Sequence, residues 1–359
     1  MWVFVADLLI KNGRVWDGER FFFADVLTEG QYIVKIAPHI TENATYVYDA
    51  TDKIVSAGFV DAHVHMRIPP VDRFGLQAEM SCLPFGVTAA ADAGRNHGER
   101  ILFDSFAVKN VLFVGAEIRN NSINFDDIED ALSRYGDKAI GIKVYFDTEM
   151  SEVSDISPLV AVCRFASERN LRVMVHCSGS PVPMSEILST LNAGDILTHA
   201  FHGGGSNAAE DDFASIKAAQ KQGVVIDTGF AGYVHTDFAI FEKAIRSGVL
   251  PDTISSDITK FSAYTRGGRY GMTMCMSMAR HMGMAEEEIF RAITSTPARV
   301  LGKSADWGRL EAGRTADIAV LEYTDEGFSL TDKAGNHIES KNGYRCVLTV
   351  SDGLVVYRH

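Results

Sequence analysis

The sequence predicts an α/β protein: a (β/α)8 barrel with a small discontinuous β-sandwich domain formed by both chain ends. Three observations lead there. Residues 1–53 hold only short strand-like runs cut by Gly, Asn, Asp and Pro. From Ile54, eight apolar runs alternate with amphipathic segments. From Gly308 the texture returns to β. Continuous apolar strands alternating with helices imply a parallel sheet buried on both faces. Eight such units close into a TIM-like barrel. A doubly wound open sheet is the alternative, but no GxGxxG turn follows the first strand.

The elements follow in order. Asp7–Lys11, Gly13–Trp16, Ala24–Thr28, Tyr32–Ile36 and Tyr46–Tyr48 read as strands of the first chain end, with no helical period between them. The barrel strands are Ile54–Val60, Gly86–Asp92, Asn110–Ala116, Ile140–Phe146, Arg172–His176, Asp195–His199, Val224–Asp227 and Thr253–Asp257. Asp126–Tyr135, Ser157–Arg169, Met184–Leu191, Asp211–Gln222 and Asp237–Ser247 read as helices between them. Helices follow at Gly271–Met282 and Glu286–Thr294, and a short one runs from Pro297 to near Gly302. Asp317–Glu322, Phe328–Thr331, Arg345–Val350 and Leu354–Tyr357 are the closing strands. The domains are then 1–53 with 303–359, and 54–302.

Composition narrows the function. The 359 residues are 46% apolar and 23% charged, as in an ordinary soluble domain. A net charge of −13 argues against nucleic acid or an anionic membrane as partner and leaves a small-molecule substrate. Cys82, Cys163, Cys177, Cys275 and Cys346 form no CxxC pair and are odd in number, which suits thiols in a reducing, cytoplasmic setting. Met1–Ile10 lacks a basic start and a cleavage site and reads as a first strand. No apolar run is long enough to span a membrane. A homo-oligomer is left open.

Polar residues at the ends of apolar strands carry the chemistry. In such a barrel, functional groups sit at the C-terminal ends of strands. His63 and His65 close the first strand, and in a strand residues two apart share a side. Lys143 lies in the fourth, His176 ends the fifth, His199 the sixth and Asp257 the eighth. Each has an ordinary reading: loop hydrogen bonds for the histidines, a buried ion pair for Lys143, a helix N-cap for Asp257. Their arrival at whole-unit intervals favours one metal site on one rim. Imidazoles and a carboxylate suit a divalent cation such as zinc. A cationic lysine does not ligate. Desolvated, it loses its proton and reacts with carbon dioxide, and the carbamate has two oxygens that can bridge two metals. An unmodified lysine beside a single metal is the other reading.

These marks resemble the amidohydrolase superfamily. Thr294–Gly302 (Thr-Ser-Thr-Pro-Ala-Arg-Val-Leu-Gly) and Gly308–Ile318 support the resemblance, which spans nearly the whole chain. The lysine resembles the binuclear branch that includes dihydroorotases, hydantoinases and N-acyl deacetylases. That branch implies two divalent metal ions. His63 and His65 would hold the more buried one with Asp257, His176 and His199 the other, and a carboxylated Lys143 would bridge them. Deaminases of the mononuclear branch have a glutamate after the fifth-strand histidine, where this chain has Cys177-Ser178-Gly179-Ser180-Pro181. Gly86-Val87-Thr88, Gly141–Val144 and Pro251–Asp257 are similar to dihydroorotase-like deacetylases. That group implies an arginine where Tyr145 stands, so the reading of a substrate carboxylate is open here.

The expected reaction is hydrolysis of a C–N amide bond of a small N-acyl compound or cyclic amide. A metal-bridged hydroxide attacks, with Asp257 as general base and then acid. Ester hydrolysis or deamination on the same site is the first alternative, and a non-catalytic scaffold of the same fold the second. Arg67, Arg95, Asn96, Tyr145, His202, Tyr233 and His235 lie on the rim loops and are candidates for reading the substrate.

Overall fold

The computed structural model describes residues 8–67, 74–232, 234–265 and 269–359. A parallel sheet of seven strands curls through the middle of the chain. In order it holds Phe59–Val64, Val87–Ala93, Lys109–Ala116, Ala139–Tyr145, Arg172–His176, Ile196–Thr198 and Val225–Ile226. The eighth run makes no ladder. It touches both edges of the sheet by single parallel bridges, Asp227 to Thr253 and Val64 to Ile258. Thr253, Ser255 and Ser256 spend their hydroxyls on Asp227 and Asp61, and Asp257 has φ 46°. A left-handed residue ends regular pairing.

The sheet is buried on both faces, as its continuous apolar strands require. Inside it, Val60, Ala62, Ala89, Ala91, Phe113, Met174 and Ile196 form one cluster, closed by Ala298, Leu301 and Trp307. Outside it, Val114, Ile142, Val144, Val173 and Val175 pack against the helices. Three of the helices start on a cap or a proline that their sequence supplies. Asn124 accepts from Asp126 N–H before Phe125–Tyr135, Pro158 sits in the first turn of Ser157–Ser167, and Asp237 accepts from Ile240 N–H before Phe238–Arg246.

The two chain ends meet in one eight-stranded mixed sheet. Ile54–Ala57 joins them, running parallel to Leu8–Trp16 and antiparallel to Ile318–Thr324. Ile10, Val15, Val26, Val55, Val320 and Leu348 form its separate core. The predicted strand Ile54–Val60 is therefore two strands in two sheets. Gly58 is the handover, and a Cβ there would lie 2.1 Å from Thr88 Oγ1. The two predicted strands before Trp16 are one, Leu8–Trp16, with a register shift between Ile10 and Gly13. Phe328–Thr331 pairs with His337–Ser340, a strand the sequence pattern missed, in a separate hairpin. Asp332 in its turn accepts from Phe238 N–H at 2.8 Å and pins the hairpin to the start of a helix.

Candidate metal centre

Alternation places two of the polar residues directly. Met174 faces the interior cluster and Val173 and Val175 the helices, so His176 faces inward. Ile142 and Val144 face the helices, so Lys143 faces inward and is fully buried. The others need local irregularity. Plain alternation would put His63 on the side of Phe59, but the ladder shifts register between Asp61 and Val64, and such a shift re-aims a side chain. His199 follows the inward-facing Thr198 and has φ 62°. Left-handed backbone at His199 and Asp257 costs on the order of 1 kcal/mol or more each, a strain found at functional sites.

His63, His65 and Asp257 form one group whose ligand atoms lie within 4.8 Å of one another. Asp257 Oδ1 is 3.0 Å from His65 Nε2 and 3.4 Å from His63 Nε2. That oxygen is buried and makes no hydrogen bond. His176, His199 and His235 form a second group of the same kind. Its rings lie close together, with centroids 4.3 Å apart for His199 and His235, which are tilted, and 4.5 Å for His176 and His199, which meet edge to face. The groups adjoin: His199 Nε2 is 3.9 Å from Asp257 Oδ2, and Lys143 Nζ is 3.3 Å from His63 Nε2.

Hydrogen bonds fix which imidazole nitrogen is free. Thr198 Oγ1 donates to Asp227 at 2.7 Å, so its oxygen accepts from His63 Nδ1–H at 3.0 Å and leaves Nε2 with the lone pair. His199 Nδ1–H donates to Gly229 O at 2.8 Å and leaves its Nε2 free. His176 Nε2 faces Asp147 Oδ2 at 3.1 Å and Ser178 Oγ at 2.8 Å. Burial works to raise the Asp147 pKa, but the hydrogen bond with His176 prevails and holds it at about 2. An ionised carboxylate has no proton to give, so His176 is protonated on Nε2 and its Nδ1 is free. Partners of this sort orient metal-binding histidines. Asp147, Ser178, Thr198 and Asp227 were not among the sequence candidates. Their only signal is that they stand within four residues of one or at a strand end.

The electrostatics favour a cation. Burial, helped by Lys143, drops the His63 pKa well below its ordinary value, and burial does the same to His199. Burial takes His235 to about 3. All are neutral and offer lone pairs at neutral pH. Burial would raise the Asp257 pKa, but His63 and His65 beside it keep it ionised. Burial lowers the Lys143 amine to about 8. A buried, ionised carboxylate beside His63 Nε2 and His65 Nε2, with the His63 lone pair turned toward it, is a donor set that fits a divalent cation.

The rim candidates divide. His235 joins the second histidine group and is more central than expected. Tyr145 donates to Ala93 O at 3.3 Å, its ring 6.2 Å from His176. His202, three residues past His199, is buried and accepts from Gly204 N–H. Arg95 holds Met66 O and Asp92, and Asn96 pairs with the backbone of Gly115. Arg67 is exposed, and its backbone bonds to Leu76. Tyr233 lies outside the described residues.

The model of the amidohydrolase family matches residues 54–356. The chain belongs to the amidohydrolase family. It is 27% identical over 374 residues to a deacetylase of Enterococcus faecalis, covering 97% of this chain and 98% of that one. It is 28% identical over 304 residues to a deacetylase of Brucella anthropi, covering 79% of this chain and 74% of that one. A dihydroorotase of Bacillus cereus is 22% identical over 400 residues, with 89% of each chain covered. A crystal structure of a dihydroorotase superposes with a TM-score of 0.86 at 23% identity, covering 98% of both chains. That of an adenine deaminase gives 0.85 at 24%, covering 98% of this chain and all of the other. At these identities the two structures speak for the fold, which is of TIM-barrel type. The amidohydrolase is a hydrolase acting on C–N bonds, of a family that generally uses a binuclear metal site. Among its described residues, no helix is long and apolar enough to cross a membrane.

Proposed function

We propose that this amidohydrolase cleaves the C–N bond of a small N-acyl compound or cyclic amide with two divalent ions, zinc first among them. The observation that carries the reading is the pair of adjoining buried groups, His63–His65–Asp257 and His176–His199–His235, with Lys143 against the first. His63, His65 and Asp257 would hold one ion. His176 and His199 would hold the other, with His235 within reach. Lys143, its amine lowered to about 8 by burial, has a neutral fraction that reacts with carbon dioxide. The product is a carbamate and a released proton, and its two oxygens would bridge the ions.

Bound ions supply Lewis-acid charge and lower the pKa of a water. The chain's own residues do the rest. Asp257 is ionised, and with Oδ1 turned to His63 and His65 its Oδ2, on the side of His199, can take the proton of the attacking water. It returns that proton to the leaving nitrogen and is regenerated. Asp147, Thr198 and the Gly229 carbonyl hold His176, His63 and His199 in one tautomer each. The terminal sheet belongs to the same proposal as the β-sandwich domain of 1–53 and 303–359, set against a barrel of 54–302. Five free, buried thiols support a reducing, cytoplasmic setting.

The test is a screen of N-acyl amino acids, cyclic ureides and acyl esters with enzyme reconstituted in zinc and bicarbonate. Turnover of an amide substrate that a chelator abolishes and zinc restores is expected. Turnover of esters alone would sink the amide reading.

A further inference from the structure

The two ligand groups differ in their atoms. His63, His65 and Asp257 join two imidazoles to a carboxylate, whereas His176, His199 and His235 bring three imidazoles within the same 4.8 Å spread and no carboxylate. His176 ends one barrel strand and His199 follows the next, Ile196–Thr198. His235 comes from the loop after Val225–Ile226. It is less buried than the other two and lines a cavity of about 360 Å³ that opens beside them. It therefore closes the group from its open side.

Ser178 ties this loop residue to the strand ends. Its Oγ has three neighbours: Asp147 Oδ2 at 3.2 Å, His176 Nε2 at 2.8 Å and His235 Nδ1 at 3.2 Å. The hydroxyl has one proton, which goes to the ionised Asp147 carboxylate. Its oxygen then accepts from His176 Nε2–H and from His235 Nδ1–H. That leaves His235 Nε2 with a lone pair, as the partners of the other two leave His176 Nδ1 and His199 Nε2. The His235 ring lies 4.3 Å from that of His199 and 4.8 Å from that of His176, centroid to centroid. Among the described residues no hydrogen bond joins the three rings to one another. Neutral imidazoles so close have lone pairs and no shared proton, and a cation is what joins such a set.

We propose that His235 is itself a ligand of the second ion, oriented by Ser178, so that His176, His199 and His235 form an all-imidazole site that selects zinc or a similar borderline cation. The inference rests on the metal reading above and adds to it a ligand and a difference between the two sites. Imidazole suits zinc, whereas carboxylate oxygen suits magnesium, calcium and manganese. The first site, with Asp257, accepts a harder ion than the second. A carbamate on Lys143 would give one oxygen to each ion and leave that difference in place.

The experiment counts ions and needs no substrate. Wild type, His235→Phe, His235→Leu and Ser178→Ala are reconstituted with zinc and bicarbonate, dialysed against graded chelator and measured by elemental analysis. Wild type is expected to hold two ions per chain. His235→Phe should keep one as tightly as wild type and release the other at a chelator concentration lower by more than about tenfold, and Ser178→Ala should weaken that same ion by about 10–100-fold. His235→Leu serves where the larger ring is not accommodated. With cobalt in place of zinc, the visible bands of the second ion should change in the His235 variants, a signature that loss of packing alone does not produce. With one equivalent of zinc and excess manganese, wild type should hold one ion of each. Two ions held with wild-type affinity and unchanged cobalt bands in the His235 variants overturn His235 as a ligand and leave the metal-dependent reading intact. Manganese in both positions of wild type overturns the selectivity. A wild type that holds no ion overturns the metal reading and this inference together.

Discussion

Thr198→Val isolates what holds His63 in place. The hydroxyl sits between Asp227 Oδ2 at 2.7 Å and His63 Nδ1 at 3.0 Å, all three residues buried. Valine keeps the shape and removes both bonds. Asp227 keeps two hydroxyls, Thr253 at 2.6 Å and Ser255 at 2.7 Å, so its carboxylate is still served. His63 Nδ1–H is left without its partner, at a cost of about 1–3 kcal/mol in stability. The larger effect is on the metal. With Nδ1 unpaired, nothing favours the tautomer whose Nε2 lone pair faces Asp257. Loss of such an orienting partner weakens metal affinity by about 10–100-fold. The assay is metal content by elemental analysis after dialysis against graded chelator, alongside a thermal melt of metal-free protein. A variant that melts lower yet retains wild-type affinity would refute the orienting role and leave only packing.

Other outcomes follow from the same geometry. Asp257→Asn should lower kcat by roughly 10²–10⁴-fold, more than it raises KM, because the proton carrier is lost; an unchanged kcat in steady-state assays removes Asp257 from the chemistry. Lys143→Ala should lose metal and activity and regain both with short-chain carboxylic acids; undiminished metal content would count against the carbamate. Burial lowers the His202 pKa from 6.5 to about 4. The unfolded chain then binds the extra proton between these values, so stability is complete above pH 6.5 and falls as pH drops toward 4. The span is on the order of 3 kcal/mol. Chemical denaturation at pH 7 and pH 5 should show about 2 kcal/mol of this loss in wild type and less of it in His202→Leu, and equal losses would contradict a neutral buried imidazole.

How much of this was legible in the sequence depended on contrast. His63, His176, His199 and Asp257 stand out because each closes an apolar run, and Lys143 because it interrupts one. Asp147, Ser178, Thr198 and Asp227 carry no such contrast. A threonine beside a histidine or an aspartate after a strand is ordinary loop chemistry, and only the fold brings Thr198 and Asp227 to His63. His235 was visible as a rim residue but not as a neighbour of His199, because its loop has no period to fix its direction. The left-handed backbone at His199 and Asp257 and the register shift at His63 are invisible to alternation, which alone would turn His63 outward. The strand Ile54–Val60 looked continuous because both of its halves are buried. Gly58 was the only mark of the handover between sheets.

The most direct test is hydrolysis by protein stripped of metal and then reconstituted, with the ions counted. Stripped enzyme should be inactive towards N-acyl amino acids and cyclic amides. Zinc with bicarbonate should restore turnover, at two ions per chain. Full turnover by stripped protein, or reconstituted protein that holds no divalent ion, would contradict a metal-dependent amidohydrolase.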